Sequence, residues 1–318
     1  MAGHSHKHTR LVSYKEKRHR RPFKTALWML IPLAALLAFI LALILGNTLG
    51  EKVPDGEGES STPHEIVIPN PDPHGPISIN AIHVTLQGIT GNTAQNVSAQ
   101  IPSGATAVSM TLFSDSGMPL YASEVAAEFG RDRGELTLKN TFRPVADKGL
   151  YASVLMPSSV KNVPSLRLWT TAAYEATLAS ELWQAGADEI VVLFDGTGKG
   201  KSVLADGFTE TAAEYVYSIR RQASELRVGI AITPADLLDS ERANDIERLC
   251  GVADFCAVDL TAIEDPSELT NILLEISTTV LRHEMRLLLK NEGKSEELLA
   301  AADDIMGKLG MKNIQYIG

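Results

Sequence analysis

Cysteine is almost absent from this chain: Cys250 and Cys256 are the only two in 318 residues, and both lie far from the N-terminus. None stands near the apolar run that follows the leader, so a lipid-modified cysteine anchor is excluded. With one cysteine closing a predicted helix and the other inside a predicted strand, the two read as buried free thiols, although a disulfide would persist in an oxidising compartment. Charge is missing altogether from Ala26 to Leu45, a stretch of the length that spans a bilayer. The leader before it, residues 1–25, holds eight basic residues against the single acid Glu16, which places it in the cytoplasm by the positive-inside tendency. The run is about twice the length of a signal-peptide core and lacks a good small-x-small site after it, so it reads as an uncleaved signal anchor. Pro32 inside it is tolerated in lipid-embedded helices. The expected setting is the plasma membrane, crossed once, with residues 26–45 in the lipid bilayer and the C-terminal part outside.

Positive charge is scarce beyond the anchor. The leader takes eight of the 29 basic residues and one of the 39 acidic ones, leaving 21 against 38, a formal charge near −17 outside. Such a surface repels nucleic acid and anionic lipid, and no basic stripe offsets it. Residues 46–76 also lack any apolar periodicity. Glu51 to Pro63 is rich in Gly, Glu, Ser and Pro, and Pro69, Pro71, Pro73 and Pro76 follow, the composition of a disordered spacer.

Residues 77–318 alternate short apolar runs with amphipathic segments. Strands are expected at Ile79–Leu86, Thr106–Phe113, Leu150–Met156, Glu189–Phe194, Arg227–Ile232, Asp254–Val258, Met285–Leu289 and Asn313–Ile317. Helices are expected at Gln95–Ile101, Leu136–Lys148, Thr170–Ala185, Thr209–Leu226, Ser240–Cys250, Pro266–Leu281 and Ser295–Leu309, the second weakened by Pro144. The pattern predicts an α/β fold, a (β/α)8 TIM-type barrel lacking its last helix, with an open doubly wound sheet as the alternative. Something other than a helix must then seal the seam after the eighth strand.

In such a barrel, ligands meet the loops after the strand C-termini. Asp195, Asp259 and Glu292 follow the fourth, sixth and seventh strands and are the candidate pair of carboxylates for glycosidic hydrolysis, one as proton donor and one as base or nucleophile. Acidic residues also gather at strand ends and helix N-caps for structural reasons. Trp169 opens the third helix on the loop side, where an indole can stack on a sugar, whereas Trp183 lies deeper and reads as core. The third loop, Pro157 to Leu168, with Lys161 and Arg167, is a further place for ligand contacts. Asp195-Gly196-Thr197-Gly198-Lys199-Gly200-Lys201-Ser202 looks like a phosphate loop, but Asp195 holds the first glycine position and no helix signal starts at Ser202; it reads as a flexible loop over the barrel mouth. His4, His6 and His8 belong to the cytoplasmic tail. No cofactor and no metal site is implied.

Four segments carry a family resemblance. Asp115-Ser116-Gly117, Tyr121-Ala122-Ser123, Lys148-Gly149-Leu150-Tyr151-Ala152 and Gly186-Ala187-Asp188-Glu189-Ile190 stand in order at the second, third and fourth strands. They resemble a family of uncharacterised glycosyl hydrolase domains related to the TIM-barrel glycosidases. The resemblance spans most of Ile82 to Ile263 and implies a cell-wall or extracellular polysaccharide as partner on a bacterial surface, with Asp115, Tyr121 and Trp169 as candidate substrate contacts. Two departures stand against retained catalysis. The family's inward aspartate and following arginine on the fourth strand are Leu193 and Gly196 here, and Cys256-Ala257-Val258-Asp259 lacks the family's proline-methionine-tyrosine pattern. The expectation is a degenerate barrel that binds polysaccharide; an active glycosidase using a relocated Asp195 and a scaffold domain of an envelope assembly are the alternatives.

Overall fold

The computed structural model describes residues 79–317 except 87, 90–91, 115, 131–133, 163–164 and 291–292. The expected leader, anchor and linker, with His4, His6 and His8, lie outside the described residues, as do Asp115 and Glu292. All described residues belong to one compact unit, Ile68–Gly318. Among them no helix is long and apolar enough to cross a membrane.

Eight parallel strands close into a barrel in chain order: β1 (Asn80–Val84), β2 (Ala107–Thr111), β3 (Tyr151–Pro157), β4 (Glu189–Leu193), β5 (Arg227–Ile232), β6 (Phe255–Asp259), β7 (Arg286–Lys290) and β8 (Ile314–Ile317). Each coincides with an apolar run read from the sequence, and the open-sheet alternative is overturned by pairing of β8 with β1, Asn80 against Ile314 and Ala81 against Gln315. The helices are α1 (Thr93–Gln100), α2 (Glu124–Glu128), α3 (Leu138–Asp147), α4 (Ser165–Ala185), α5 (Thr209–Gln222), α6 (Pro234–Leu238), α7 (Ala243–Val252), α8 (Pro266–Arg282) and α9 (Glu296–Leu309). Local chemistry sets their ends. Asp265 accepts from the Glu268 amide (2.8 Å) and Ser295 from the Leu298 amide (3.1 Å) as N-caps, and Gly310 closes α9 in the left-handed region at φ 73°. Contrary to expectation, Pro144 does not break α3: it sits inside the helix with its ring buried beside Thr141, Phe142 and Val145, so packing outweighs the lost backbone bond. Among the described residues no helix follows β8, and Ile82, Ile314 and Tyr316 on the outer strand faces at that seam are half-buried.

Contacts between strands that are not neighbours must pass through the barrel, and they show which face points in. Glu189 on β4 forms a two-pronged ion pair with Arg286 on β7; Arg286 Nη1 also donates to Gln315 on β8 (2.9 Å), and Gln315 Nε2 donates to Ser109 (2.9 Å) and Ser153 (3.0 Å). Tyr151 donates its hydroxyl to Glu189 (2.9 Å). The guanidinium of Arg286 lies 3.9 Å from the centre of the Phe255 ring. That ring fills the space left by Gly229, where a Cβ would stand 2.2 Å from it. Two residues along each strand, on the same face, this polar layer gives way to an apolar one of Leu155, Val191, Ala231, Ala257 and Leu288. The interior is filled. The larger core lies outside the strands, under the helices, where Trp183 packs as expected.

Candidate functional site

Above the apolar layer, a cleft of about 680 Å³ opens beside the C-terminal ends of β2, β3 and β4. Its floor is Leu155 and Leu193, which alternation points inward. Its walls carry Thr111, Ser114, Ser116, Ser158, Ser159 and Thr197, with Asp195, Lys199 and Glu175 as the charged groups. Leu193 therefore occupies the inward position that the family resemblance assigns to an aspartate, and Asp195 stands one layer higher, lining the cleft.

The carboxylates are each engaged. Asp195 Oδ1 pairs with Lys199 Nζ at 2.5 Å, both side chains solvent-accessible. Glu175, buried on α4, accepts from the hydroxyls of Ser158 (2.6 Å) and Ser159 (2.8 Å) and from the Ser159 amide (3.0 Å). Asp259, at the inward end of β6, is 3% exposed and does not line the cleft. It accepts from the Gly198 amide, the Thr261 amide (3.0 Å) and the Thr261 hydroxyl (2.5 Å). Its role here is to hold the short strand Asp195–Gly198 down.

The rest of that loop is pinned in the same manner, so the expected flexible cover is instead an anchored one. Lys161 donates to the carbonyls of Ser202 (3.3 Å) and Val203 (3.0 Å). Asp236, fully buried, accepts from Ser202 Oγ (2.6 Å), the amides of Val203 (3.1 Å) and Leu204 (2.9 Å), and both the amide and hydroxyl of Thr233 (2.9 Å each). No helix begins at Ser202; a single 3-10 turn, Ala205–Gly207, follows, and the next α-helix begins at Thr209, which removes the helix N-terminus that a phosphate loop needs.

Of the predicted substrate contacts, Tyr121 is corrected. It is 0% exposed and packs edge-on against Phe113 (6.1 Å between centroids), and burial first, then the charge of Glu181, pushes its hydroxyl well above the ordinary tyrosine range. Trp169 falls in the first turns of α4, and its side chain lies outside the described residues. Tyr174 lines the cleft but is 6% exposed; its ring lies 5.0 Å from that of Phe129, which is 54% exposed but does not line the cleft. Sequence reading missed Tyr174 and Glu175. The serine pair directly after β3 was the one available signal for Glu175, since a buried hydroxyl such as that of Ser158 needs a partner. Among the described residues no group of histidine, cysteine and acidic side chains can hold a metal ion.

Of the segments behind the family resemblance, the first lines the cleft through Ser116 and Gly117, whereas the other three make structural contacts. Tyr151 and Glu189 belong to the buried polar layer at the N-terminal end of the barrel, Asp188 accepts from the Ala152 amide (2.7 Å), and Ser123 caps α2 and donates to Glu181 (2.7 Å). Residues at that end of a barrel serve stability rather than chemistry. No family model matches the chain, and no curated protein matches its sequence. Among solved structures, the chain is similar to a protein of Bacteroides thetaiotaomicron to which an alpha-L-fucosidase activity is ascribed, at 12% identity over 84% of this chain and 91% of that one, with a TM-score of 0.53. A chitinase domain from Pyrococcus furiosus (10% identity, 74% and 81% covered, TM-score 0.49) and the catalytic domain of a Paenibacillus polymyxa beta-amylase (10%, 76% and 92%, TM-score 0.48) are also similar, too distantly to bear on activity. The likeness shows the fold alone: the described residues form a (β/α)8-type barrel.

Proposed function

We propose that this barrel binds a neutral polysaccharide of the cell wall or extracellular matrix in the cleft beside β2 to β4, without cleaving it, while residues 26–45 tether it to the membrane. The observation that carries the reading is the cleft itself. It offers a wall of hydroxyls, groups that sugar rings use, while its carboxylates are already bonded. A glycosidase needs one carboxyl to donate a proton to the leaving oxygen and a second about 5 to 10 Å away as base or nucleophile. Glu175 is occupied by Ser158 and Ser159, Asp259 by Gly198 and Thr261, and Asp195 by Lys199. The formal charge near −17 beyond the anchor argues for a neutral glycan over a polyanionic one.

The test is binding of the full-length protein to neutral and acidic polysaccharides by affinity electrophoresis, with Ser116→Trp alongside. Ser116 is exposed at the cleft wall, so the indole blocks the cleft without disturbing the core. Retardation by at least one neutral glycan, weakened about tenfold or more by the substitution, is expected. Retardation by none, or retardation that Ser116→Trp leaves unchanged, contradicts the reading.

A further inference from the structure

We propose that Cys250 and Cys256 form an intramolecular disulfide that staples α7 to β6. They are the only cysteines of the chain, yet the fold brings their sulfurs to 3.0 Å. A disulfide bond needs about 2.05 Å, so closure asks for roughly one ångström of side-chain movement. The intervening segment is fixed in place. The Ala253 amide donates to the Leu249 carbonyl at the end of α7 (2.8 Å), and Asp254 accepts from the Val228 amide (2.6 Å) while pairing with Arg220 (2.8 Å). Both thiols are thereby held in register by contacts that do not involve sulfur.

Exposure sets the order of events. Cys250 is half-buried and reachable, whereas Cys256 is 1% exposed on the outer face of β6. Its hydrogen bond with Cys250 and then its burial raise the Cys256 thiol well above the usual range. The Cys250 thiolate attacks a small-molecule disulfide, forming a mixed disulfide and releasing one thiolate. Cys256 then gives up its proton, attacks the Cys250 sulfur and releases the second thiolate, so two electrons pass to the reagent and one new S–S bond remains. The inference is independent of glycan binding.

The experiment exposes folded full-length protein to glutathione disulfide, quenches in acid, denatures, alkylates with iodoacetamide and weighs the peptides. After digestion the expected product is a single peptide carrying both cysteines, two hydrogens lighter, with no alkylation and no glutathione, and a Tm raised by about 5 °C over the reduced protein. Cys256→Ala keeps glutathione on Cys250, and Cys250→Ala leaves Cys256 unmodified; neither shows the Tm rise. A wild type in which both thiols remain alkylatable, or in which glutathione stays on Cys250, overturns the proposal.

Discussion

Glu189 shows that a residue's role can be set by a partner far from it in sequence. It stands in the segment that carries the family resemblance, on the strand where a catalytic acid is expected, yet it is 0% exposed and bonded to Arg286 and Tyr151 inside the barrel. Taking two charges out of water is expensive, and their attraction offsets this only when the remaining lone pairs and protons are bonded. Here they are, through Tyr151 and Gln315, with the Phe255 face under the guanidinium. Removing Arg286 leaves Glu189 buried beside Arg227 but without its two-pronged partner. Arg286→Leu should therefore cost about 3–5 kcal/mol of stability, read from urea unfolding; a cost under about 1 kcal/mol would show that the pair is not desolvated as described. Nothing in composition or periodicity distinguishes Glu189 from a catalytic residue, because the partner that defines its role is 97 residues away.

At the scale of elements, the strands and most helices were legible because their periodicities differ. Runs such as Arg227–Ile232, buried at every position, are bounded by turn residues and are too short for helices. The element that was not legible is the loop from Asp195 to Leu204. Its glycines and lysines resemble those of a mobile or phosphate-binding loop, and only the fold brings Asp236, Lys161 and Asp259 to it. Asp236 is the main anchor: it serves five donors, among them the buried amides of Val203 and Leu204. Each buried amide left without an acceptor costs about 1–3 kcal/mol, so Asp236→Ala should lower stability by about 3–5 kcal/mol. It should also abolish hydrogen-exchange protection of the Val203 and Leu204 amides. Protection equal to wild type at both amides would show that the loop is held by something else.

For the whole molecule, the parallel barrel was legible and its chemistry was not. Eight apolar runs in order with helical crossovers leave few topologies, and closure through β8 and β1 realises one of them. The site depends on which strand ends face a cleft and on what each polar group already bonds, and both are properties of the assembled barrel. Asp195 lines the cleft as its position two residues beyond Leu193 implies, and Asp259 is diverted to hold a loop. Recognition without cleavage is tested most directly by reducing-end release from the neutral polysaccharides that the full-length protein retards, for wild type and Asp195→Ala in parallel. No release above background is expected from either protein. New reducing ends produced by wild type and abolished by Asp195→Ala would contradict that expectation and make the barrel a glycosidase with a relocated active site.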